Sequence, residues 1–405
     1  MRAIYADHAA TTRPAPEVVA AMAPWLGEAF GNPSSVHARG EAARDAIEQA
    51  RARVAALLGA TPEEIVFTAS GSEANNLALK GVSAGAPEAR RRLVISAIEH
   101  PSVLETALHL EARGMPLTIV PVERDGVVDP ARVAAALGQD VVLLSVMAVN
   151  NESGVVQPTA ELAALAHAAG VAFHVDAVQA AGKIPIDVAA LGADLLSIAG
   201  HKFHGPLGAA ALFVRRRTRL VPQVHGGHQE RSRRAGTENL PAIVGLGVAA
   251  ERAAVRLEAG ARRLAGLDAR LIDGLAAAIP GARLNGSRNR RVPGTANLCF
   301  PGVDGEAVLH ELDREGITVS TGSACSAATP GPSHVLIAME LSAEDAHASV
   351  RFSLGEDNDE ADVDRLLATV PPIVERLRAL AGGAAADSAG AQLRGVSAQR
   401  AGFGA

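Results

Sequence analysis

Between Ile65 and Val214 the chain repeats one pattern: a short apolar, largely β-branched run, then an Ala-rich stretch with helical spacing. Few folds accept that alternation. Runs that are apolar at every position suit strands buried on both faces, and helical crossovers between them make those strands parallel. The strand candidates are Ile65 to Thr68, Leu93 to Ser96, Leu117 to Pro121, Val141 to Ser145, Val171 to Asp176, Leu195 to Ala199 and Ala209 to Val214. Helices fit Glu41 to Leu58, Glu73 to Lys80, Pro101 to Arg113, Pro130 to Leu137 and Thr159 to Ala169. The expectation is an α/β fold with a mostly parallel seven-stranded sheet and helices on both faces, spanning residues 16–260. Leu240 to Ala259 reads as a long helix leading to a second unit. From Ala261 the pattern becomes helix, strands at Thr295 to Phe300, Ile317 to Ser320 and Val350 to Ser353, and a helix from Glu360 to Leu380. That predicts a smaller α+β domain made of residues 1–15 and 261–385. Residues 386–405, mostly Gly, Ala, Ser and Gln, bury little and read as a disordered tail.

With 405 residues, two domains are the better expectation, because single cores stop growing below that size. Aromatic residues are 2% of the chain and the formal charge is −6, so base stacking and a broad cationic face are both missing. Direct nucleic-acid binding is excluded on that ground as a main function, and the short Arg clusters read as solvated surface. The N-terminus lacks the apolar core of a signal peptide, and no apolar run reaches the roughly 18 residues of a membrane helix. With only Cys299 and Cys325 present, a disulfide framework is not expected; a reducing, cytoplasmic setting is.

Two strand candidates carry chemistry at their carboxyl ends, where open α/β sheets bind ligands. One ends in Phe173-His174-Val175-Asp176-Ala177-Val178-Gln179, the next in Ser197-Ile198-Ala199-Gly200-His201-Lys202. An Asp for a pyridinium nitrogen and a Lys for a Schiff base are what pyridoxal phosphate requires. Thr68-Ala69-Ser70-Gly71-Ser72-Glu73-Ala74 follows a strand and opens a helix, which suits a phosphate, although Ser there also serves as an ordinary N-cap. His100 follows another strand end and is able to stack on a ring and move protons near neutral pH, or to be structural. Gln179 is placed to bond the ring hydroxyl. The pairs His201/His204 and His225/His228 lack a Cys or carboxylate set, so no metal is expected in the isolated protein.

Ser320 to His334 is rich in Ser, Ala, Gly and Pro around Cys325, the signature of an exposed loop carrying a candidate nucleophile. Its thiol, with an ordinary pKa near ~8.5, needs a neighbouring cation to be ionised at neutral pH. Cys299, within Asn297-Leu298-Cys299-Phe300, reads as strand core. Arg351 alternates with apolar neighbours and suits bidentate capture of a carboxylate, or else a surface ion pair.

Together these residues resemble the class V, fold-type I pyridoxal-phosphate enzymes, and among them the cysteine desulfurases. The likeness runs from Tyr5 to about Leu380 and rests on Ala9-Ala10-Thr11-Thr12, Phe30-Gly31-Asn32-Pro33-Ser34-Ser35-Val36-His37, Asn150-Asn151-Glu152-Ser153-Gly154, His174 to Gln179, Gly200-His201-Lys202, Arg234 to Asn239 and Gly322-Ser323-Ala324-Cys325. The long Ser-rich Cys loop is similar to group I of that family. The resemblance implies Lys202 as Schiff-base lysine and proton carrier, Asp176 on the ring nitrogen, Gln179 on the ring oxygen and His100 stacked on the ring. It implies Gly71, Ser72 and His201 on the phosphate, with Thr237 supplied across a homodimer interface. Asn151 and Arg351 take the carboxylate of L-cysteine, and Cys325 attacks the substrate sulfur. The product persulfide passes to an iron–sulfur scaffold, where Cys325 transiently ligates a nascent cluster, or to another acceptor such as a tRNA-thiolation protein. The sequence departs from the family at Ala199, where a Ser usually bonds the phosphate, and at Ser153. An aminotransferase that does not need Cys325, and a non-catalytic sulfur-transfer partner, are the alternatives.

Overall fold

The computed structural model describes residues 2–321 and 331–400, the side chains of 382–400 excepted. The chain opens with β1 (Ile4–Tyr5) and then builds one sheet from β2 (Ile65–Thr68), β3 (Arg92–Ser96), β4 (Leu117–Val120), β5 (Val141–Ser145), β6 (Ala172–Asp176), β7 (Leu195–Ala199) and β8 (Ala210–Val214). Across the sheet the order is β2-β8-β7-β6-β5-β3-β4. All neighbours are parallel except β8, which runs antiparallel to β7 and to β2. The seven-stranded, mostly parallel sheet is therefore the one expected, with strand ends within one residue of the apolar runs.

Every residue of β5, β7 and β8 is buried, because helices cover both faces. In β2 the faces separate at single-residue spacing: Ile65 and Phe67 pack into one core and Val66 into the other. The outer edge of β2 is closed by a buried ion pair rather than by another strand. Glu230 accepts from both terminal nitrogens of Arg51 (2.7 and 2.9 Å) and from the Phe67 backbone N–H (2.8 Å), while Arg51 donates to the Ile65 carbonyl (3.0 Å). Unpaired edge groups are thus satisfied on the strand that leads into the Ser70–Ser72 turn.

The long helix departs from expectation. It runs unbroken from Leu240 to Ala278, 39 residues or about 58 Å, through the residue 260/261 position where a boundary between units is expected. Its first half packs in the core of the large sheet (Leu240, Leu246, Ala249, Ala253), and its second half in a separate core (Leu267, Leu271, Leu275). Val255, between the two, is 82% exposed. The helical apolar spacing resumes at Leu264 without an intervening proline, and Gly260 sits where a Cβ would meet nothing, so nothing stops the helix.

That second core belongs to β9 (Arg283–Leu284), β10 (Thr295–Cys299), β11 (Ile317–Thr318) and β12 (Ser349–Ser353) with the helices Gly305–Arg314 and Glu360–Arg400. β10 lies antiparallel between β9 and β12, and β11 pairs in parallel with β1. The strand expected to reach Ser320 stops at Thr318; Ser320 forms an isolated antiparallel bridge with Arg351. The last helix continues to Arg400, through part of the segment expected as a tail, where Ala-rich backbone satisfies itself within the helix.

His174, in the middle of this sheet, gives a test of the packing. Its ring nitrogens meet Ser145 Oγ (2.8 Å) and Ser197 Oγ (3.1 Å), and burial lowers its pKa to about 4. Between pH 6.5 and 4 the unfolded chain binds the proton that the folded chain refuses, so stability falls as pH falls through that window. The contribution of His174 is a slope of about 1.4 kcal/mol per pH unit at most. Urea unfolding of the cofactor-free protein across this range should show that slope diminished in His174→Gln; an unchanged slope would contradict it.

Candidate active site

The carboxyl ends of β2, β3, β6 and β7 open into one cavity of about 310 Å³. Its wall gathers Gly71, Ser72, His100, Asn151, Asp176, Gln179, His201, Lys202 and Arg351, nine residues singled out from the sequence. Parallel pairing of β6 with β7 sets Asp176 opposite Ser197, so the carboxylate and the Lys202 turn leave the sheet side by side. Asp176 is buried; it accepts from the Val178 N–H (3.0 Å) and from Asn75 Nδ2 (2.7 Å). Lys202 Nζ donates to the carbonyls of Ala9 and Ala10, 2.7 Å each.

The Gly71–Gly85 helix points its N-terminus at the cavity. Ser70, rather than Ser72, is the cap: its hydroxyl accepts from the Glu73 N–H (3.1 Å). Gly71 and Ser72 occupy the first turn, where backbone N–H groups have no helical acceptor. A Cβ on Gly71 would lie 2.9 Å from Val178 Cγ2, so only glycine lets the turn sit this close to the end of β6. Ala199 presents its methyl to the same space, 3.5 Å from that Cβ position.

Three imidazoles near the cavity are kept neutral. His100 caps the helix Pro101–Glu111: its Nδ1 accepts from the Ser102 N–H (3.1 Å), so the proton of the neutral ring sits on Nε2. Burial lowers its pKa, and Asp176 pulls the other way. Burial, then the charges of Lys202 and Lys183, bring His201 to about 4, with its Nδ1 3.2 Å from Thr11 Oγ1. His8 also falls to about 4 through burial.

Arg351, on β12, is 3% exposed, which rules out the surface ion pair considered from the sequence. It donates to Asp7 Oδ1 (2.7 Å) and to the Asn151 carbonyl (2.8 Å). Its Nε and the Asn151 Oδ1 are buried with no hydrogen-bond partner among the described residues. Buried polar atoms of this kind call for a ligand or water. Cys325 and its neighbours Gly322 to Thr329 lie outside the described residues, but their flanks do not. Ser320 exchanges backbone hydrogen bonds with Arg351 (3.2 and 2.6 Å). On the other side Ser333 Oγ donates to Glu152 (2.5 Å), and His334 Nε2 donates to the Glu99 carbonyl (3.0 Å). Thr237 is exposed and does not line this cavity.

The family model "Aminotransferase class-V" matches residues 4–366. The chain belongs to the aminotransferase class-V family. It is 44% identical over 379 residues to "Cysteine desulfurase IscS" of Dictyoglomus turgidum, an alignment covering 94% of this chain and 96% of that one. Among solved structures, a "NifS-like protein" superposes with a TM-score of 0.88 at 35% identity, covering 93% of this chain and 100% of its own. A structure described as "SspA in complex with cysteine" gives a TM-score of 0.78 at 37% identity, covering 87% and 99%. Family membership brings pyridoxal phosphate as cofactor, and the residues fit it: a helix N-terminus for an anion, a buried carboxylate and an amine within one cavity.

Several residues that shape the site were not singled out from the sequence. Asn75 and Ser102 brace Asp176 and His100; Asp7 holds Arg351; Lys183 sits behind Gln179. Glu99, fully buried with Oε1 accepting from Ser96 Oγ and the Met147 N–H, has its pKa raised by burial to about 8 and so keeps its proton at neutral pH. The motif Glu99-His100-Pro101 signalled the position but not the protonation, which depends on packing. Cys299 is strand core as expected: fully buried, beside Asp345 (Sγ–Oδ1 3.7 Å), its thiol pushed up by burial to about 11. At pH 8 about one thiol in a thousand would be ionised. Iodoacetamide should therefore leave Cys299 unmodified in the native protein and label it in denaturant, read by peptide mass spectrometry; rapid native labelling would contradict its assignment to the core.

Proposed function

We infer that this cavity carries out the desulfuration of L-cysteine: the chain is a pyridoxal-phosphate-dependent cysteine desulfurase. The observation that carries the reading is one pocket in which Lys202, Asp176 and a helix N-terminus stand opposite a buried arginine with an unpartnered Nε. Bound there, pyridoxal phosphate supplies an electron sink for charge developing at the substrate Cα. Asp176 takes the ring nitrogen, Gln179 the ring oxygen, and Gly71, Ser72 and His201 the phosphate, with Thr237 added from a second subunit. Arg351 Nε and the Asn151 amide receive the cysteine carboxylate. Lys202, freed from the Ala9 and Ala10 carbonyls, moves the Cα proton, and His100, with its proton on Nε2, lies over the ring.

The Cys325 thiolate attacks the sulfur of the substrate. An S–S bond forms, the Cβ–S bond breaks, and the electron pair left on Cβ is protonated to give alanine. The flanks of the Cys325 segment support this reading, since Ser320 is bonded to Arg351 itself and Ser333 to Glu152, next to Asn151. The persulfide passes to an acceptor, an iron–sulfur scaffold or a tRNA-thiolation protein. A homodimer is supported by bulky apolar residues left in water: Leu26 and Leu207 (72% each), Phe30 (64%) and Val36 (99%). Two cores support a large domain of residues 16–260 and a small one of 1–15 and 261–385, although Val292, Val335, Leu336, Met339 and Ala346 of the second range pack in the large core. Among the described residues no helix is long and apolar enough to cross a membrane, and a cytoplasmic location fits the cysteine usage.

Purified protein given L-cysteine and a thiol reductant should produce sulfide and alanine in equal amounts. Lys202→Ala should abolish both, and Cys325→Ala should abolish sulfide while the yellow cofactor stays bound. Transamination by wild type and Cys325→Ala alike, without sulfide, would overturn the reading in favour of an aminotransferase. Ala199→Ser restores a hydroxyl facing the phosphate turn. It should tighten cofactor binding by about 1.5 kcal/mol or more, roughly tenfold in the dissociation constant measured by fluorescence; no change would show that another donor already fills that role.

A further inference from the structure

Gln179 has an amide whose orientation is not left to chance. Lys183 Nζ donates to its Oε1 (2.7 Å), and its Nε2 donates to the Ala9 carbonyl (2.8 Å). The Ala9 carbonyl donates nothing, and Lys183 accepts nothing while it is charged, so both partners call for the same orientation of the amide. One N–H of Nε2 then remains for whatever occupies the cavity that Gln179 lines. The turn that brings Lys183 back onto Gln179 depends on Gly182, at φ +73°, where a Cβ would lie 2.7 Å from Phe203 Cβ.

We propose that Lys183 is a positioning residue that fixes the Gln179 amide with its N–H toward the cofactor's ring oxygen. The inference rests on the placement of Gln179 and Lys202 argued above. The lysine reaches Gln179 from a separate small cavity of about 60 Å³ behind Ala9, so it touches neither ring nor substrate. Burial, and the positive charges of Lys202 and Arg351, lower its own pKa to about 7, yet both its charged and neutral forms carry an N–H to donate. His8, Lys202, His204, Arg252, Arg256 and Glu356 share that small cavity and stay unaltered in the variants below. With Lys183 gone only the Ala9 carbonyl, which Lys202 also uses, still orients the amide, and its remaining N–H is held less firmly toward the ring oxygen. The anionic form of the ring oxygen then has a weaker donor, and the lysine-bound cofactor holds its proton to higher pH.

The test is a pH titration of the visible absorption band of the loaded protein. Lys183→Met should raise the apparent pKa by about one unit, in the direction that loss of a hydrogen bond to an anion requires. Lys183→Arg, which keeps a donor, should restore the wild-type value. Lys183→Gln, whose neutral amide pairs with Gln179 either way up, should shift like Met and serves if Met prevents folding. In a Gln179→Ala background Lys183→Met should add nothing. An unchanged titration in both Met and Gln variants, or an equal shift in the Gln179→Ala background, would overturn the inference, the latter by showing an effect of charge alone. Cofactor trapped by borohydride on a residue other than Lys202, read by peptide mass spectrometry, would instead overturn the cofactor reading, and the inference with it.

Discussion

The carbonyl oxygen of Ala9 accepts hydrogen bonds from Gln179 and Lys202 at once, and much of the structure serves to hold it there. The N-terminal segment that carries it is pinned on the other side to the smaller core. Ala9 N–H donates to Ser353 Oγ (2.9 Å), His8 N–H to the Ser353 carbonyl (3.1 Å), and Asp7 holds Arg351. The segment around Ala9 thus connects the Asp176 and Lys202 side of the cavity, on β6 and β7, to the Arg351 side, on β12. Thr12 continues the seam by donating to the His201 carbonyl (2.9 Å) and accepting from the His204 N–H (2.7 Å). Distance between lysine and arginine is set by this strip of backbone, so the site is an assembly of both cores rather than of the sheet alone.

Charge in the cavity is unbalanced on purpose. Lys202, Lys183 and Arg351 lie close together: burial first, and then the charges of Lys202 and Arg351, lower the pKa of Lys183, and the nearby imidazoles are held neutral by burial. Asp176, braced by Asn75, and Asp7 are the carboxylates facing them, while Glu99 is protonated. Such a surplus of buried cations is costly alone and is relieved by anions. A phosphate and a carboxylate bound in this cavity would supply that relief, which would tie the proposed cofactor and substrate binding to the same electrostatic constraint.

Much of this was legible in the sequence because it is local. A strand buried on both faces must read as an unbroken apolar run, and Val141–Ser145, Leu195–Ala199 and Ala210–Val214 do. Asp176 and Lys202 were legible because strand ends are where α/β sheets hold ligands. Contacts that join residues far apart were not. Nothing near Asp7 announces Arg351, 344 residues away, and backbone carbonyls such as that of Ala9 leave no trace in residue type. Nothing in the residue type of Lys183 announces that the Gly182 turn folds it behind Gln179. The unbroken helix Leu240–Ala278 reads from the sequence as two elements because a change of partner core resembles a break when only composition is seen.

We propose that Cys325, and not the buried Cys299, receives the sulfur in a cavity lined by Lys202 and Arg351. The most direct measurement is peptide mass spectrometry of the loaded protein after one equivalent of L-cysteine, without reductant, with free thiols and persulfides trapped. The expected result is one added sulfur on the peptide containing Cys325, none on that containing Cys299, and none on either in Arg351→Ala at the same short time. Sulfur on Cys299, or alanine formed with neither cysteine modified, would contradict it.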